Sequence, residues 1–254
     1  MIFFPDFPLF EEPGKVHYIF ECLAFVVGIR IYNYHRKSIN DPISDKNRLL
    51  ILFGAVLGAF LGSRFIAILE DPGRIADLSL LELYQSKTIA GGFLGGLFGV
   101  ELMKKGIGVR IASGDVYVFP ILIAVFIGRI GCFVTGIKEP TFGNPTHFFF
   151  AMDLGDGIPR HPVALYEMFY LALLYGLFYG IRKRNLINGD RFKLFMVLYF
   201  LYRFLVEFIK PYHPLFLRLS IIHLISLFLF IYYFKFLKRI LIPSCYENQR
   251  LRLL

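Results

Sequence analysis

A chain of 254 residues with 56% of them hydrophobic, only 19% charged and a mean hydropathy of +0.59 does not have the composition of a soluble domain. Soluble domains run at about 45–50% apolar and about 25% charged, and the excess here lies in long apolar runs that need lipid as solvent. Disordered, collagen-like and disulfide-scaffold classes are excluded together. The net charge of +9 comes with no basic stripe of interleaved aromatics on a polar segment, so no nucleic-acid partner is expected.

The N-terminal MIFFPDFPLFEEPGK has acidic residues and prolines before its first lysine, so it lacks the basic start of a secretory signal peptide and the first apolar run is expected to be retained. Seven apolar runs follow: Val16 to Tyr34, Leu49 to Leu69, Ile89 to Met103, Val116 to Val134, Val163 to Ile181, Phe192 to Ile209, and Leu217 to Phe236. Hydrocarbon cannot satisfy an exposed backbone group, and these runs lack the alternation of barrel strands, so each predicts a helix. The expected fold class is an all-α polytopic helix bundle of about seven transmembrane helices, forming a single membrane domain over residues 1–254. Cys22, Cys132 and Cys245 are odd in number and far apart, which argues against a disulfide framework. Trp is absent, so the 15 tyrosines are expected to supply the interfacial aromatic belt.

Basic residues divide unevenly between alternate connections. Seventeen lie in one set, among them Arg36, Lys37, Lys46, Arg48, Lys104, Lys105, Arg110 and the cluster from Arg182 to Lys193, with Lys235 to Arg252 at the end. Seven lie in the other set: Lys15, Arg74, Lys87, Lys138, Arg160, Lys210 and Arg218. The positive-inside rule assigns the richer set to the cytoplasm. The N-terminus is then outside, the C-terminus cytoplasmic, and the connection at 135–162 on the outer side.

Four basic residues remain within the runs: Arg30, Arg64, Arg129 and Arg203. Arg30 can snorkel to the inner face. The others sit deeper, where a guanidinium costs roughly 2.5–3.5 kcal/mol on insertion scales and needs a polar cavity or a partner. One reading is a shared anionic guest; the other is a buried carboxylate for each arginine, with Glu207 at i+4 from Arg203 as a ready example.

The third run reads GGFLGGLFG, with Gly91, Gly95 and Gly99 on one four-residue spacing and Gly92 and Gly96 on another. Such bare faces admit a neighbouring backbone or, alternatively, the head group of a lipid. The connection from Thr135 to Pro162 carries four prolines and four glycines and predicts an irregular outer loop of functional length. It holds His147, which reads as a surface residue, and His161, which precedes Pro162 at a helix entrance and can orient an acid or accept a proton.

Three segments carry a resemblance: GRIGCFVTG from Gly128, RHPVALYE from Arg160 and LYRFLVEF from Leu201. With FPDF at Phe4, LGSRF at Leu61, AGGFLGG at Ala90, SGD at Ser113 and LSIIHLIS at Leu219, in order and over nearly the whole chain, the sequence resembles the prolipoprotein diacylglyceryl transferase family. The resemblance implies a bacterial inner-membrane, multi-pass transferase. Such an enzyme moves the diacylglyceryl group of phosphatidylglycerol onto the lipobox cysteine of a prolipoprotein signal peptide and releases glycerol phosphate. Its partners would be phosphatidylglycerol, the lipobox and the lipid bilayer, with no cofactor and no metal. The resemblance makes Arg129 and Arg203 ligands of the head group and leaving phosphate, Glu207 the carboxylate that orients Arg203, and His161 a further catalytic residue. Arg64, Gly91, Gly92, Gly95, Gly96, Gly128, Gly131, Arg160, Tyr166 and Glu167 would bind substrate. A planar guanidinium gripping two phosphate oxygens suits that chemistry better than an ammonium.

Departures from the family pattern are specific. Cys132, Thr135 and Ile137 stand where the motif has Asn, Asn and Glu, and Leu94 stands where a histidine is a candidate base. His161 or Glu207 can replace that base, or the acceptor thiol can ionise in the arginines' field. Glu21 has no assigned role, and Cys132 reads as a small packed hydrophobe rather than a nucleophile. Two other functions stay open on the residues alone: a divergent or silent lipid-binding paralogue with another acceptor, and an anion transporter. Transporters usually show matching broken helices in two halves, and the sequence has no such pair.

Overall fold

The structure is a computed structural model that describes residues 13–39, 41–74, 79–184 and 186–242. FPDF at Phe4, and Cys245, Arg250 and Arg252, lie outside the described residues. The chain order is α1 (Pro13–Ser38), α2 (Asp45–Glu70), α3 (Leu80–Gln85), α4 (Ile89–Gly106), α5 (Val118–Thr135), β1 (Met152–Asp153), β2 (Pro159–Arg160), α6 (Val163–Gly180), α7 (Asp190–Glu207), α8 (Ile221–Tyr232) and α9 (Phe234–Leu241). All seven apolar runs contain a long stretch of helix. By length and apolarity, Lys15–Ser38, Asp45–Glu70, Asp115–Lys138 and Val163–Gly180 are able to cross a membrane, and α8 with α9 makes a fifth span if the pair, bent by 65°, counts as one. The predicted third and sixth spans are helices of 18 residues each, α4 and α7. Glu101, Lys104 and Lys105 lower the apolarity of α4, and Asp190, Arg191, Lys193, Arg203 and Glu207 that of α7.

Two compact units divide the chain. The first takes Met1–Asn40, Gly114–Phe195 and Phe208–Pro211; the second takes Asp41–Ser113, Met196–Glu207 and Tyr212–Leu254.

In the first unit α5 packs against both α1 and α6. Tyr32 stacks on Tyr117, and His35 on Phe119, each with ring centroids 5.0 Å apart. Gly131 is required where α5 meets α1, because a Cβ there would stand 2.8 Å from that of Phe20. The SGD segment explains how α7 begins. Asp115 Oδ2 accepts from the Gly189 amide and Oδ1 from the Phe192 amide, both at 2.8 Å, so one carboxylate satisfies donors left over at the helix N-terminus.

The predicted irregular connection holds a small antiparallel ladder, Met152 opposite Arg160 and Asp153 opposite Pro159. Its turn runs through Gly155 and Gly157, both at positive φ, around Asp153 Oδ1, which accepts from three successive amides. Two-residue strands are too short to leave a periodic trace in the sequence. At the tip Phe148, Phe149 and Phe150 are exposed, Phe149 to 90%.

In the second unit α2 and α4 pack with their backbones almost touching. A Cβ placed at Gly58 would lie 2.2 Å from Gly95 O, one at Gly62 2.5 Å from Gly91 O, and one at Gly54 2.7 Å from Gly99 O. The reversed pairing order makes the helices antiparallel, and the small-residue spacing on both is what permits the approach. The Thr88 amide adds a bond to Ser63 O at 3.2 Å where α4 begins. On its other faces α2 exposes Leu49, Phe53, Val56 and Phe65, as a lipid-facing helix should. Arg48 clamps the base of this unit, with Nε and Nη2 on the Asp41 carboxylate at 2.7 and 2.8 Å and Nη1 on Ser113 O at 2.7 Å.

Candidate active site

The three deep arginines have three different environments. Arg129, on α5, is 5% exposed, and its Nη2 lies 2.9 Å from Oε2 of Glu167 on α6, itself 1% exposed. Its Nη1 donates to Cys132 Sγ at 3.5 Å, one helical turn on. Gly128, beside it, has open space where a side chain would be, whereas Gly131 is filled by Phe20. A guanidinium has five N–H donors in a planar fork, and the carboxylate engages Nη2.

Arg203 and Glu207 lie one turn apart on α7, both buried, with Nη2 and Oε2 4.0 Å apart. Glu207 Oε1 accepts from the Ser220 hydroxyl at 3.0 Å. Ser220 is the N-cap of α8: its Oγ accepts from the His223 amide at 3.3 Å, and its own amide donates to His223 Nδ1 at 3.1 Å. Nδ1 is therefore an acceptor, and the neutral ring carries its proton on Nε2. His223 is fully buried, edge-on to Phe204 and Tyr212.

Arg64 is half-buried, bonded to Ser63 Oγ at 2.8 Å with its guanidinium 4.1 Å above the Phe60 ring and 5.4 Å from that of Tyr84. In the connection between α5 and α6, Arg160 Nη2 pairs with Asp156 Oδ2 at 2.7 Å and lies over Phe142. That bond holds the Asp156 carboxyl below its ordinary range. His161 Nδ1 is 3.2 Å from the Tyr166 hydroxyl. The backbone of His161 bonds to Gly143 and Asn144, and the Asn144 amide bonds to Ile209 O at 2.8 Å. Gly143 is obligatory there, since a Cβ would lie 2.5 Å from that of His161.

The structure thus brings together Arg129 with Glu167, His161 with Tyr166, and Arg203 with Glu207. Gly91 and Gly95 are filled by the α2 backbone, and Gly92 and Gly96 are in ordinary contact with Ser63, Ala55 and Ala59. Ser220 and His223 were not among the residues expected to matter. Their signal is the Ser-x-x-His spacing, which mimics a capping box with histidine as the reciprocating side chain. Replacing Ser220 by alanine removes a cap worth about 0.5–2 kcal/mol and strips a donor from buried Glu207. Unfolding in detergent should report a loss of about 1–3 kcal/mol, with Ser220→Thr retaining most of it.

Comparison with known proteins agrees with the motifs. The family model for prolipoprotein diacylglyceryl transferase matches residues 15–238. A phosphatidylglycerol–prolipoprotein diacylglyceryl transferase of Rickettsia rickettsii (strain Sheila Smith) is 27% identical over 223 residues, covering 82% of this chain and 85% of that protein. Proteins of the same name from Wolbachia pipientis subsp. Culex pipiens (strain wPip) and Bordetella parapertussis (strain 12822) are each 30% identical, over 80% and 78% of this chain and 81% and 76% of theirs. A match over this much of the chain, through all three motif segments, makes this protein a member of the prolipoprotein diacylglyceryl transferase family.

Proposed function

We propose that this transferase moves the diacylglyceryl group of phosphatidylglycerol to the cysteine thiol of a prolipoprotein lipobox. The sulfur attacks the glyceryl carbon, the bond from that carbon to the phosphate oxygen breaks, and glycerol phosphate leaves as the thiol proton is lost. Membership of the family supports the reaction, and one structural observation carries the site. The arginine of the GRIG motif is buried against a carboxylate on the next helix, charged and oriented inside an apolar bundle.

Arg129 and Arg203 are the phosphate ligands in this reading. Arg129 is paired with Glu167 at 2.9 Å and Arg203 has the Glu207 carboxylate 4.0 Å away, and charge stabilisation in a dry site is worth far more than in water. Arg64, Arg160, Tyr166, Glu167 and Gly128, the one glycine of these with open space beside it, shape the binding region, Gly91, Gly92, Gly95, Gly96 and Gly131 act through helix packing, and His161, with Nδ1 on Tyr166, accepts the thiol proton. The whole chain works as one membrane domain in the bacterial cytoplasmic membrane, with seven spans, the N-terminus and the 135–162 loop outside, and the C-terminus cytoplasmic. The asymmetry of the basic residues supports that orientation.

The test is a mass-shift assay with purified protein, phosphatidylglycerol vesicles and a lipobox peptide. The expected result is a thioether-linked diacylglyceryl adduct and one glycerol phosphate per adduct, with Arg203→Ala at least about 100-fold slower. A peptide left unmodified by folded protein would overturn the reading, as would full activity in the variant.

A further inference from the structure

We propose that His17, Cys132 and Glu139 form a binding site for a divalent transition-metal ion of the zinc type. The three come from the start of α1, the last turn of α5 and the residue just after the short 3-10 turn that follows it, all in the first unit. Their donor atoms lie within 4.8 Å of one another, and His17 Nδ1 is 3.8 Å from Glu139 Oε2. A tetrahedron with the usual zinc bond lengths separates its ligands by about 3.3–3.8 Å, so a small inward movement of side chains closes the set.

Three features make this more than proximity. His17 Nδ1 is buried, has no close hydrogen-bond partner among the described residues, and has the Glu139 carboxylate 3.8 Å away and the Cys132 thiol in the same cluster. His17 Nε2 is 3.1 Å from Glu21 Oε1. A proton on Nε2 donated to that carboxylate leaves the Nδ1 lone pair for a metal, the carboxylate–histidine arrangement that orients ligating imidazoles. The charge is also of the right sign: two of the three donors, Glu139 and Cys132, are acidic groups, and the Arg129 guanidinium that touches Cys132 is paired with Glu167 at 2.9 Å.

The donor types select the metal. Thiolate, imidazole and carboxylate together suit zinc and its cobalt substitute, whereas magnesium and calcium ask for oxygen alone. Three protein ligands leave one position of a tetrahedron for water. The site gives Glu21 a role, and it gives Cys132 one that packing alone does not.

The experiment uses full-length protein in detergent. Elemental analysis after purification without chelator should find about one zinc per chain, and exchange with cobalt should produce a thiolate-to-cobalt charge-transfer band in the near ultraviolet. Cys132→Ser should abolish the band and Glu21→Gln should weaken cobalt affinity about 10–100-fold, while Cys22→Ser and Cys245→Ser keep both. Bound cobalt should also protect Cys132 of the unmodified chain from alkylation, a readout that needs no variant to fold. Absence of zinc together with absence of the band, a band that survives Cys132→Ser, or alkylation unaffected by cobalt would each overturn the proposal. None of these measurements depends on lipid transfer, so the site and the transferase reading fail separately.

Discussion

Replacing Arg129 by alanine is expected to abolish diacylglyceryl transfer, by at least about 100–1,000-fold, the usual effect of deleting one preorganised contact to developing negative charge. The same change strands Glu167, 1% exposed, without the guanidinium 2.9 Å away. Breaking a buried pair from one side costs about 3–5 kcal/mol, so lost activity in that variant confounds chemistry with folding. A second substitution separates them. In Arg129→Ala with Glu167→Gln no uncompensated carboxylate remains, and thermal unfolding in detergent should recover most of the lost stability. Transfer should stay absent, since the cation proposed to hold the phosphate is still missing. Arg129→Lys keeps charge without the planar fork and should give a measurable but strongly reduced rate. If the double variant regained transfer along with stability, Arg129 would be a structural partner of Glu167 and the phosphate role would fall to other residues.

How much of this was legible beforehand depends on whether a partner shared a helix with its mate. Three deep arginines stand out in apolar runs because a charge there is costly wherever the chain goes. Glu207 was readable as the mate of Arg203 because four residues place two side chains on one face. Glu167 appeared only through its motif. Its contact with Arg129 depends on how α6 packs on α5, which no local spacing encodes. The cap formed by Ser220 and His223 has its local Ser-x-x-His spacing, but its bond to Glu207 joins α7 to the start of α8 and was invisible for the same reason. Glu139 is brought near Cys132 by the turn after α5, but His17, more than 100 positions away in the chain, joins them only because α1 packs on α5. The span count shows the opposite limit. Apolar runs mark seven segments, but α4 and α7 carry enough charge that hydropathy alone does not establish them as crossings.

Gly95→Ala, the smallest change available, should be among the most destabilising in the protein. The same four-residue repeat that bares one face of α4 runs through α2 as Gly54, Gly58 and Gly62, but spacing alone does not pair two faces, and only the structure shows that they meet. An added methyl at 95 would stand 2.2 Å from Gly58 O and 2.8 Å from Gly62 Cα. Both obstacles are backbone, so no rotamer change relieves them. The helices have to separate and lose the close packing that substitutes for a hydrophobic driving force inside lipid. Overpacking of this kind costs about 1–3 kcal/mol and sometimes more. Gly92→Ala, one turn away on the same helix, is the matched control. Its methyl would meet Ser63 Cβ at 3.8 Å, an ordinary contact, and alanine is a better helix former than glycine by about 0.8–1.0 kcal/mol. Thermal unfolding in detergent should therefore move in opposite directions, down for Gly95→Ala and level or up for Gly92→Ala. Equal midpoints for the two variants would mean that α2 and α4 do not touch along these glycines.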